Sequence, residues 1–464
     1  MAYYSTVLKR KVRKMLAVHF IAIGGIGMSG LARILQSKGY RVSGSDLKET
    51  ELTKKLRAEG ITVFIGHREE NLASDVSLVV VSTAVSQDNP ELLKAKRLGI
   101  PVMHRGELLA RLMQEKKGIA VAGTHGKTTT SSMIAYVLEK EGFDPVIAVG
   151  GEIVDLGYNA KAGQGEYMVA EADESDGSFL KLLPYAAVIT NIEADHLDYY
   201  QSFEEIKKAF KKFADNIRPE GFGVFCWDNL QVREMLKGYK KRKFTYGFSP
   251  GSDFMLRDYR EEQNQLVANI YYKNTLEGEL RLKVPGKHNI LNAAAATAVL
   301  RNIGLSFKAI SERLLEFNGA KRRFQILGER NGALIVDDYA HHPTEVEATL
   351  RAAKLYKDRD VLVVFQPHRY TRTHFFYKEF ARVLVDAEKV VLTGIYSAGE
   401  KPIPGVSGEM IAEEMKKLGK NPLYLESLDE VYNYLEQNLK PGLLVLLLGA
   451  GNINQVGYKL LGKA

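Results

Sequence analysis

Ile119-Ala120-Val121-Ala122-Gly123-Thr124-His125-Gly126-Lys127-Thr128-Thr129-Thr130 is an apolar run that feeds directly into two glycines, a lysine and a cluster of hydroxyls. That order reads as a strand, a phosphate-binding loop and the start of a helix, and it calls for an α/β fold around a nucleoside triphosphate. Gly123 and Gly126 permit backbone angles that turn successive N–H groups toward one point. Lys127 supplies positive charge for the β- and γ-phosphates, and Thr128 offers a hydroxyl to Mg²⁺. Ser131 to Lys140 reads as the helix whose N-terminal dipole favours the same anion. The general pattern G-x-x-x-x-G-K-[ST] wants glycine where this chain has Val121, so the loop is a variant carried by G-T-H-G-K-T-T-T, with Thr124, His125 and Thr129 as its other polar members. A plain strand-to-helix turn would need the glycines but not the lysine and the threonines.

Outward from this loop the chain divides into series of short β-rich runs and helical stretches. Residues 16 to about 108 carry runs at Leu16 to Ile23, Arg41 to Ser45, Thr62 to Ile65, Ser77 to Ser82 and Pro101 to Met103, the spacing of a doubly wound parallel sheet. A second series starts at Gly118 and continues through Tyr167 to Glu171 and Ala186 to Thr190. A third opens near Ala333 to Asp337 and runs through Val361 to Phe365, Lys389 to Thr393, Pro422 to Tyr424 and Leu443 to Leu448. The fold class is therefore α/β in three domains: 1–108, 109–323 and 324–464.

Composition excludes several classes. With 45% hydrophobic and 26% charged residues, a disordered or fibrous chain is excluded. Its one cysteine, Cys226, can form no internal disulfide, which suits a reducing cytoplasm and a buried small side chain. No apolar run reaches the roughly 18 residues of a membrane helix, and the cluster Lys9-Arg10-Lys11-Val12-Arg13-Lys14 is not a signal peptide's basic end because the run after it continues into a glycine loop. The net charge of +8 is spread among acids and fits a field for anionic nucleotides rather than a nucleic-acid face, so neither nucleic acid nor membrane is an expected partner.

A second glycine loop, Gly24-Gly25-Ile26-Gly27-Met28-Ser29-Gly30, satisfies G-x-G-x-x-G ahead of a helix expected over Leu31 to Lys38, and the next strand ends in Asp46, placed to face a ribose. The loop cradles a diphosphate without saying which one, and Gly30 reads as a packing glycine. In the middle series, Glu171-Ala172-Asp173-Glu174-Ser175-Asp176 and Thr190-Asn191-Ile192-Glu193-Ala194-Asp195-His196-Leu197-Asp198 place acids at strand ends beside the phosphate loop, where Mg²⁺ must sit. Glu171 with Thr128 makes one metal position and His196 can complete a second, whereas Asp195 and Asp198 read as solvated loop or cap residues. His288 and Asn292, four apart, share a helix face that can meet a base or ribose. Lys321-Arg322-Arg323 offers a guanidinium to a phosphate, with a solvated basic hinge as the competing reading. Asp337-Asp338-Tyr339-Ala340-His341-His342 and Gln366-Pro367-His368-Arg369-Tyr370-Thr371-Arg372 follow later strands. Adjacent histidines share no helix face and no third ligand has metal spacing, so zinc is set aside there, and Arg369 and Arg372 suit a carboxylate or phosphate.

Together, G-I-G-G-I-G-M-S-G-L-A, G-T-H-G-K-T-T-T, E-A-D-E-S-D-G-S-F, T-N-I-E-A-D-H, H-N-I-L-N, D-D-Y-A-H-H-P-T-E and Q-P-H-R-Y-T-R-T closely resemble, in order and over nearly the whole chain, the Mur ligases, ATP-dependent amide-forming enzymes of bacterial cell-wall precursor synthesis. The resemblance implies a Rossmann-like N-terminal domain for a UDP-sugar, a central P-loop ATPase domain and a Rossmann-like C-terminal domain that closes over ATP and the amino acid. The opening glycine loop and the Asp173 to Asp176 string are similar to the branch that joins L-alanine to UDP-N-acetylmuramate through an acyl phosphate. Carried over, Gly24, Gly25, Ile26, Gly27, Met28, Ser29, Asp46, Ser82, Thr83, Ala84 and Arg105 face the sugar nucleotide. Gly123 to Thr129, His288, Asn292, Arg323 and Asp338 face ATP, and Thr128, Glu171 and His196 hold Mg²⁺ at two sites. Tyr339, His341, Arg369 and Arg372 face the amino acid. Lys127, Glu171, His196, Arg369 and Arg372 carry the chemistry. Lys211 or Lys212 aligns with a lysine that is carbamylated in related ligases, but the alanine-adding branch generally lacks that feature.

The expected protein is thus a cytoplasmic monomer or homodimer taking UDP-N-acetylmuramate, L-alanine and ATP. The rival within the family is a recycling ligase that adds a whole peptide to the same sugar. Outside it stand a nicotinamide-dependent oxidoreductase built on the first glycine loop, separable by NAD(P)H binding, and a nucleotide-switched regulatory protein that binds ATP without consuming it.

Overall fold

The structure, a computed structural model, describes residues 16–262 and 265–463; the basic cluster at Lys9 to Lys14 lies outside them. The first sheet contains β1 (Ala17–Ile21), β2 (Arg41–Asp46), β3 (Thr62–Ile65), β4 (Val76–Val81) and β5 (Val102–His104), in the order β3-β2-β1-β4-β5. Every pairing in it is parallel. The order reverses between β1 and β4, so the loops following these two strands, Ala22 to Gly25 and Ser82 to Ala84, flank the crevice where such sheets bind ligands.

The helix after β1 spans Ile26–Ser37, opening five residues ahead of the expected Leu31 and enclosing Gly27 and Gly30. Two glycines in a helix cost about 1 kcal/mol each relative to alanine, and packing offsets that cost. A Cβ on Gly30 would come within 3.1 Å of the Ala160 Cβ, on the next domain, and one on Gly27 would lie 3.5 Å from Nη1 of Arg105.

The central sheet is assembled from β6 (Lys117–Ala122), β7 (Val146–Ile153), β8 (Tyr158–Lys161), β9 (Tyr167–Glu171), β10 (Ala186–Ile189), β11 (Phe222–Cys226), β12 (Lys243–Gly247), β13 (Phe254–Glu262), β14 (Gln265–Tyr272) and β15 (Thr275–Leu282). Its order is β15-β14-β13-β12-β11-β10-β6-β9-β7-β8. β6 lies between β9 and β10, parallel to both, and its Ile119-Ala120-Val121-Ala122 are wholly buried because helices cover both faces. The strand therefore delivers the phosphate loop to the middle of the domain, with the ends of β9 and β10 on either side.

The third sheet holds β16 (Gln325–Arg330), β17 (Ala333–Asp338), β18 (Asp360–Phe365), β19 (Lys389–Thr393), β20 (Leu423–Leu425) and β21 (Leu443–Leu448), ordered β16-β17-β21-β18-β19-β20. β16 pairs antiparallel with β17 and the rest are parallel. β21, all leucine and valine, is buried throughout between β17 and β18. The carboxyl ends of β17 and β18 carry Asp338 to His342 and Gln366 to Arg372 to the same edge, which meets the phosphate loop of the central sheet.

Candidate active site

The phosphate loop is held open by its glycines and braced from β10. Gly123 and Gly126 have φ of 134° and 82°. A Cβ at Gly123 would fall 2.0 Å from Oγ1 of Thr190, and one at Gly126 2.6 Å from Oδ1 of Asn292, so both positions need glycine for space as well as for conformation. Asn191 grips His125 from both sides, its Oδ1 accepting from the His125 N–H at 2.8 Å and its Nδ2 donating to the His125 carbonyl at 3.0 Å. The helix opens at Lys127, earlier than the expected Ser131, so its first free N–H groups belong to the lysine and threonines themselves.

Lys127 folds back over its own loop. Its Nζ donates to the carbonyls of Gly123 at 2.7 Å and Thr124 at 3.2 Å, and to Oε1 of Glu174 at 2.7 Å. Burial works against the ammonium, but Glu174, Glu171 and Asp173 outweigh it and raise its pKa. Burial raises the Glu174 carboxyl against the opposing pull of Lys127. No spacing rule links Glu174 to a lysine 47 residues away, so this role is visible only in the fold.

Thr128 Oγ1 donates to Oε2 of Glu171 at 2.9 Å, and the same oxygen accepts from the Gly150 N–H at 2.9 Å. Arg323, at the boundary with the C-terminal domain, reaches Thr128 Oγ1 at 3.4 Å. This hydroxyl and carboxylate at the mouth of a phosphate loop form the oxygen-rich set that Mg²⁺ prefers, and they fit that ion. His196, in a left-handed conformation with φ of 54°, lines the same cavity, and burial lowers its pKa, which keeps the imidazole neutral. Lys211 and Lys212 are exposed on the helix Phe203–Asp215.

Asp195 corrects the reading of a solvated loop acid. It is buried, and its carboxylate accepts from Arg372 Nη2 at 3.2 and 3.4 Å across 177 residues of sequence. Burial opposes ionisation there, yet the Arg372 guanidinium holds the carboxyl far below the usual range. Arg372 also meets His368 Nδ1 at 3.2 Å. Arg369, at φ of 69°, heads the helix Tyr370–Leu384 and lies 3.9 Å from Glu400. His341 donates Nδ1–H to the Tyr339 carbonyl at 2.9 Å, and burial lowers its pKa to about 4. Glu345 accepts from the His341 N–H at 3.1 Å and lies 3.2 Å from Nδ1 of His125. Burial would raise Glu345, but His341, His125 and Arg323 hold it well below its usual value.

These groups enclose a cavity of about 210 Å³ between the central and C-terminal domains, with Lys127, Glu171 and His196 on one wall and Tyr339, His341, Arg369 and Arg372 on the other. A second cavity of about 190 Å³ continues past Gly126 and Thr129 to His288, Asn292, Asp338, Leu291 and Tyr246, a mixture of apolar surface and polar edges suited to a nucleoside. Burial pushes His288 down to about 4, so it is neutral there. Asp338 accepts from the N–H groups of Phe324 at 2.8 Å and Ala340 at 2.7 Å, and so also holds the loops in place. Cys226 is buried at the edge of this cavity.

On the N-terminal side, Asp46 Oδ2 accepts from the Gly24 N–H at 2.8 Å, pinning the glycine loop to the end of β2. Met28 and Ser29 are buried, so their side chains face the core and the first helical turn offers N–H groups to a ligand. Arg105, beside Gly27, pairs with Asp173 at 2.9 Å and Asp176 at 3.3 Å. That pairing joins the glycine loop to the acidic string flanking Lys127.

Comparison with known proteins adds three findings. Residues 17–117 match the Mur ligase family, catalytic domain; 121–300 match the Mur ligase middle domain; and 322–451 match the Mur ligase, glutamate ligase domain. The chain is 52% identical to a UDP-N-acetylmuramate--L-alanine ligase of Pelotomaculum thermopropionicum, covering 96% of each, and 49% identical to that of Geotalea uraniireducens, covering 97% of this chain and 98% of that one. It superposes on the crystal structure of the UDP-N-acetylmuramate-alanine ligase of Thermotoga maritima with a TM-score of 0.84 at 32% identity, over 97% of this chain and 99% of that one.

Proposed function

The chain belongs to the Mur ligase family, and from that premise we infer that it joins L-alanine to the lactyl carboxylate of UDP-N-acetylmuramate at the expense of ATP. The observation that carries this reading is the cavity in which the phosphate loop of one domain faces Tyr339, His341, Arg369 and Arg372 of another, with an arginine-acid bridge leading to the glycine loop of the third. Relatives at about half identity over almost the full chain favour alanine over a whole peptide as the group added.

ATP enters with its base in the cavity at His288 and Asn292 and its phosphates on the loop. Lys127 leaves the Gly123 and Thr124 carbonyls for the β- and γ-phosphates, exchanging backbone partners for an anion. Thr128, Glu171 and His196 would hold Mg²⁺ at two positions, and the ions when bound would supply positive charge against the phosphates. The lactyl carboxylate attacks the γ-phosphorus in line, forming an acyl phosphate and releasing ADP, while Lys127 and Arg323 offset charge on the transferred group. Arg369 and Arg372 clamp the alanine carboxylate in a planar, bidentate fashion. The alanine amine, once neutral, attacks the acyl carbon, and inorganic phosphate leaves from the tetrahedral intermediate. The N-terminal domain holds the UDP-sugar through Gly24 to Ser29, Ser82 to Ala84 and Arg105, with Asp46 fixing the loop. No helix among the described residues is long and apolar enough to cross a membrane; ATP and a UDP-sugar as substrates support a reaction in the cytoplasm.

Phosphate release from ATP, with UDP-N-acetylmuramate present, amino acids scanned singly and each substrate omitted in turn, tests the assignment. Release that needs both the sugar nucleotide and L-alanine is expected. Release driven by a peptide, or none in any combination, would overturn it.

A further inference from the structure

Spacing along the chain gave the His341-His342 pair no third metal ligand, but the fold supplies two. His342 caps the helix Pro343–Ala353 of the C-terminal domain and packs against His125 of the phosphate loop with ring centres 5.0 Å apart. Glu193, from the segment after β10, lies 3.3 Å from Nε2 of His125. One donor atom from each of His125, Glu193 and His342 lies within 4.8 Å of the others.

Three further details prepare these groups for a cation. Nδ1 of His125 lies 3.2 Å from Oε1 of Glu345, outside hydrogen-bond geometry but near enough that a small ring rotation gives a metal-bound histidine its carboxylate acceptor, while Nε2 faces Glu193. Glu193 Oε2 accepts from the Thr344 hydroxyl at 2.9 Å, which fixes its direction from the opposite domain. Nε2 of His342, a buried side chain, has no hydrogen-bond partner among the described residues. Metal at that nitrogen moves the ring proton to Nδ1 and gives up only a long 3.4 Å cap to the Thr344 N–H.

We propose that His125, Glu193 and His342 form a binding site for zinc or a similarly soft divalent cation, separate from the Mg²⁺ positions at Thr128, Glu171 and His196. Two imidazoles and one carboxylate, with water as the fourth ligand, are a zinc set and a poor magnesium set. Ligand bonds of about 2.0–2.2 Å require the three donors to draw together slightly, a movement that side-chain rotation supplies. The ligands come from the phosphate loop, the strand end beside it and the C-terminal domain. A bound cation therefore staples the two domains shut without nucleotide and takes His125 out of the loop's response to phosphate.

The test uses the untagged full chain with excess Mg²⁺ to fill the oxygen sites. Titration with Zn²⁺ against a chromophoric zinc indicator should show one tight equivalent, and Co²⁺ in its place should give the intense visible bands of a tetrahedral site. His342→Ala and Glu193→Gln should each weaken Zn²⁺ at least about 10-fold, and His196→Ala should retain it. Pale six-coordinate Co²⁺ in the wild type overturns the proposal without recourse to any variant. So does unchanged Zn²⁺ affinity in both ligand variants, no tight equivalent at all, or an equivalent lost in His196→Ala alone.

Discussion

Lys127 is bound to its own loop carbonyls and to Glu174. The arrangement keeps a buried ammonium satisfied. Replacing it with methionine preserves length and removes charge. The expected result for Lys127→Met is a fall in kcat/KM for ATP of about 100-fold or more, the usual loss when one preorganised donor to the transition state is removed. Stability should change little, because Glu174 can take up a proton once its partner is gone, its carboxyl already being raised by burial. Phosphate release and thermal melting of the same samples separate the two effects, and activity within a few-fold of wild type would remove Lys127 from the mechanism.

Among the elements, β17 carries a pH signature of its own. Asp337 is buried on that strand, and although Arg322 approaches to 3.3 Å, burial raises its carboxyl to about 7. A carboxyl with a folded-state value above its unfolded one favours folding while protonated and loses that contribution as pH rises from about 4 to 7. Asp337→Asn removes the titration. The difference in melting temperature between variant and wild type should therefore shift in the variant's favour across that interval and level off above it; a constant difference from pH 4 to 8 would show that Asp337 does not titrate there. A second element, the helix Ile26–Ser37, docks the N-terminal domain through Gly30 against Ala160. Gly30→Val should push that helix from β8 and raise KM for UDP-N-acetylmuramate more than KM for ATP, whereas equal changes in both would indicate general damage. Legibility along the sequence followed the same local logic. β3, β9, β19 and β21 have the bounds their apolar runs indicate, since each is a short β-rich run closed by turn or polar residues. β13, with Arg257, Asp258, Arg260, Glu261 and Glu262, and β15 on the far side of β14 are not legible, because an antiparallel strand with a solvated face reads as polar sequence. The phosphate loop and the acids around it were legible because their chemistry is local. The partners Asp195 with Arg372 and His125 with Glu345 were not, since only the folded chain brings them together.

At the scale of the whole molecule, those unread contacts decide how far the domains stand apart. Arg372 with Asp195, Thr344 with Glu193, and His125 with Glu345 all cross from the central to the C-terminal domain, and Arg372 and His125 among them are the groups proposed to meet substrates. In the proposed mechanism closure and catalysis therefore compete for the Arg372 guanidinium, which would loosen from Asp195 to clamp a carboxylate. Removing one partner of a buried ion pair costs about 3–5 kcal/mol when the other charge stays buried. Inside a single core that cost would lower stability. Here the C-terminal domain has its own sheet and core, so it can swing outward and return the Arg372 guanidinium to water. Asp195→Asn should accordingly show a larger radius of gyration than the wild type by small-angle scattering without nucleotide. It should keep a nearly wild-type melting temperature and contract when UDP-N-acetylmuramate and an ATP analogue supply new charges to bridge the gap. A variant that scatters like the wild type but melts well below it would mean that the two domains unfold as one body and that the ion pair serves the fold rather than the hinge.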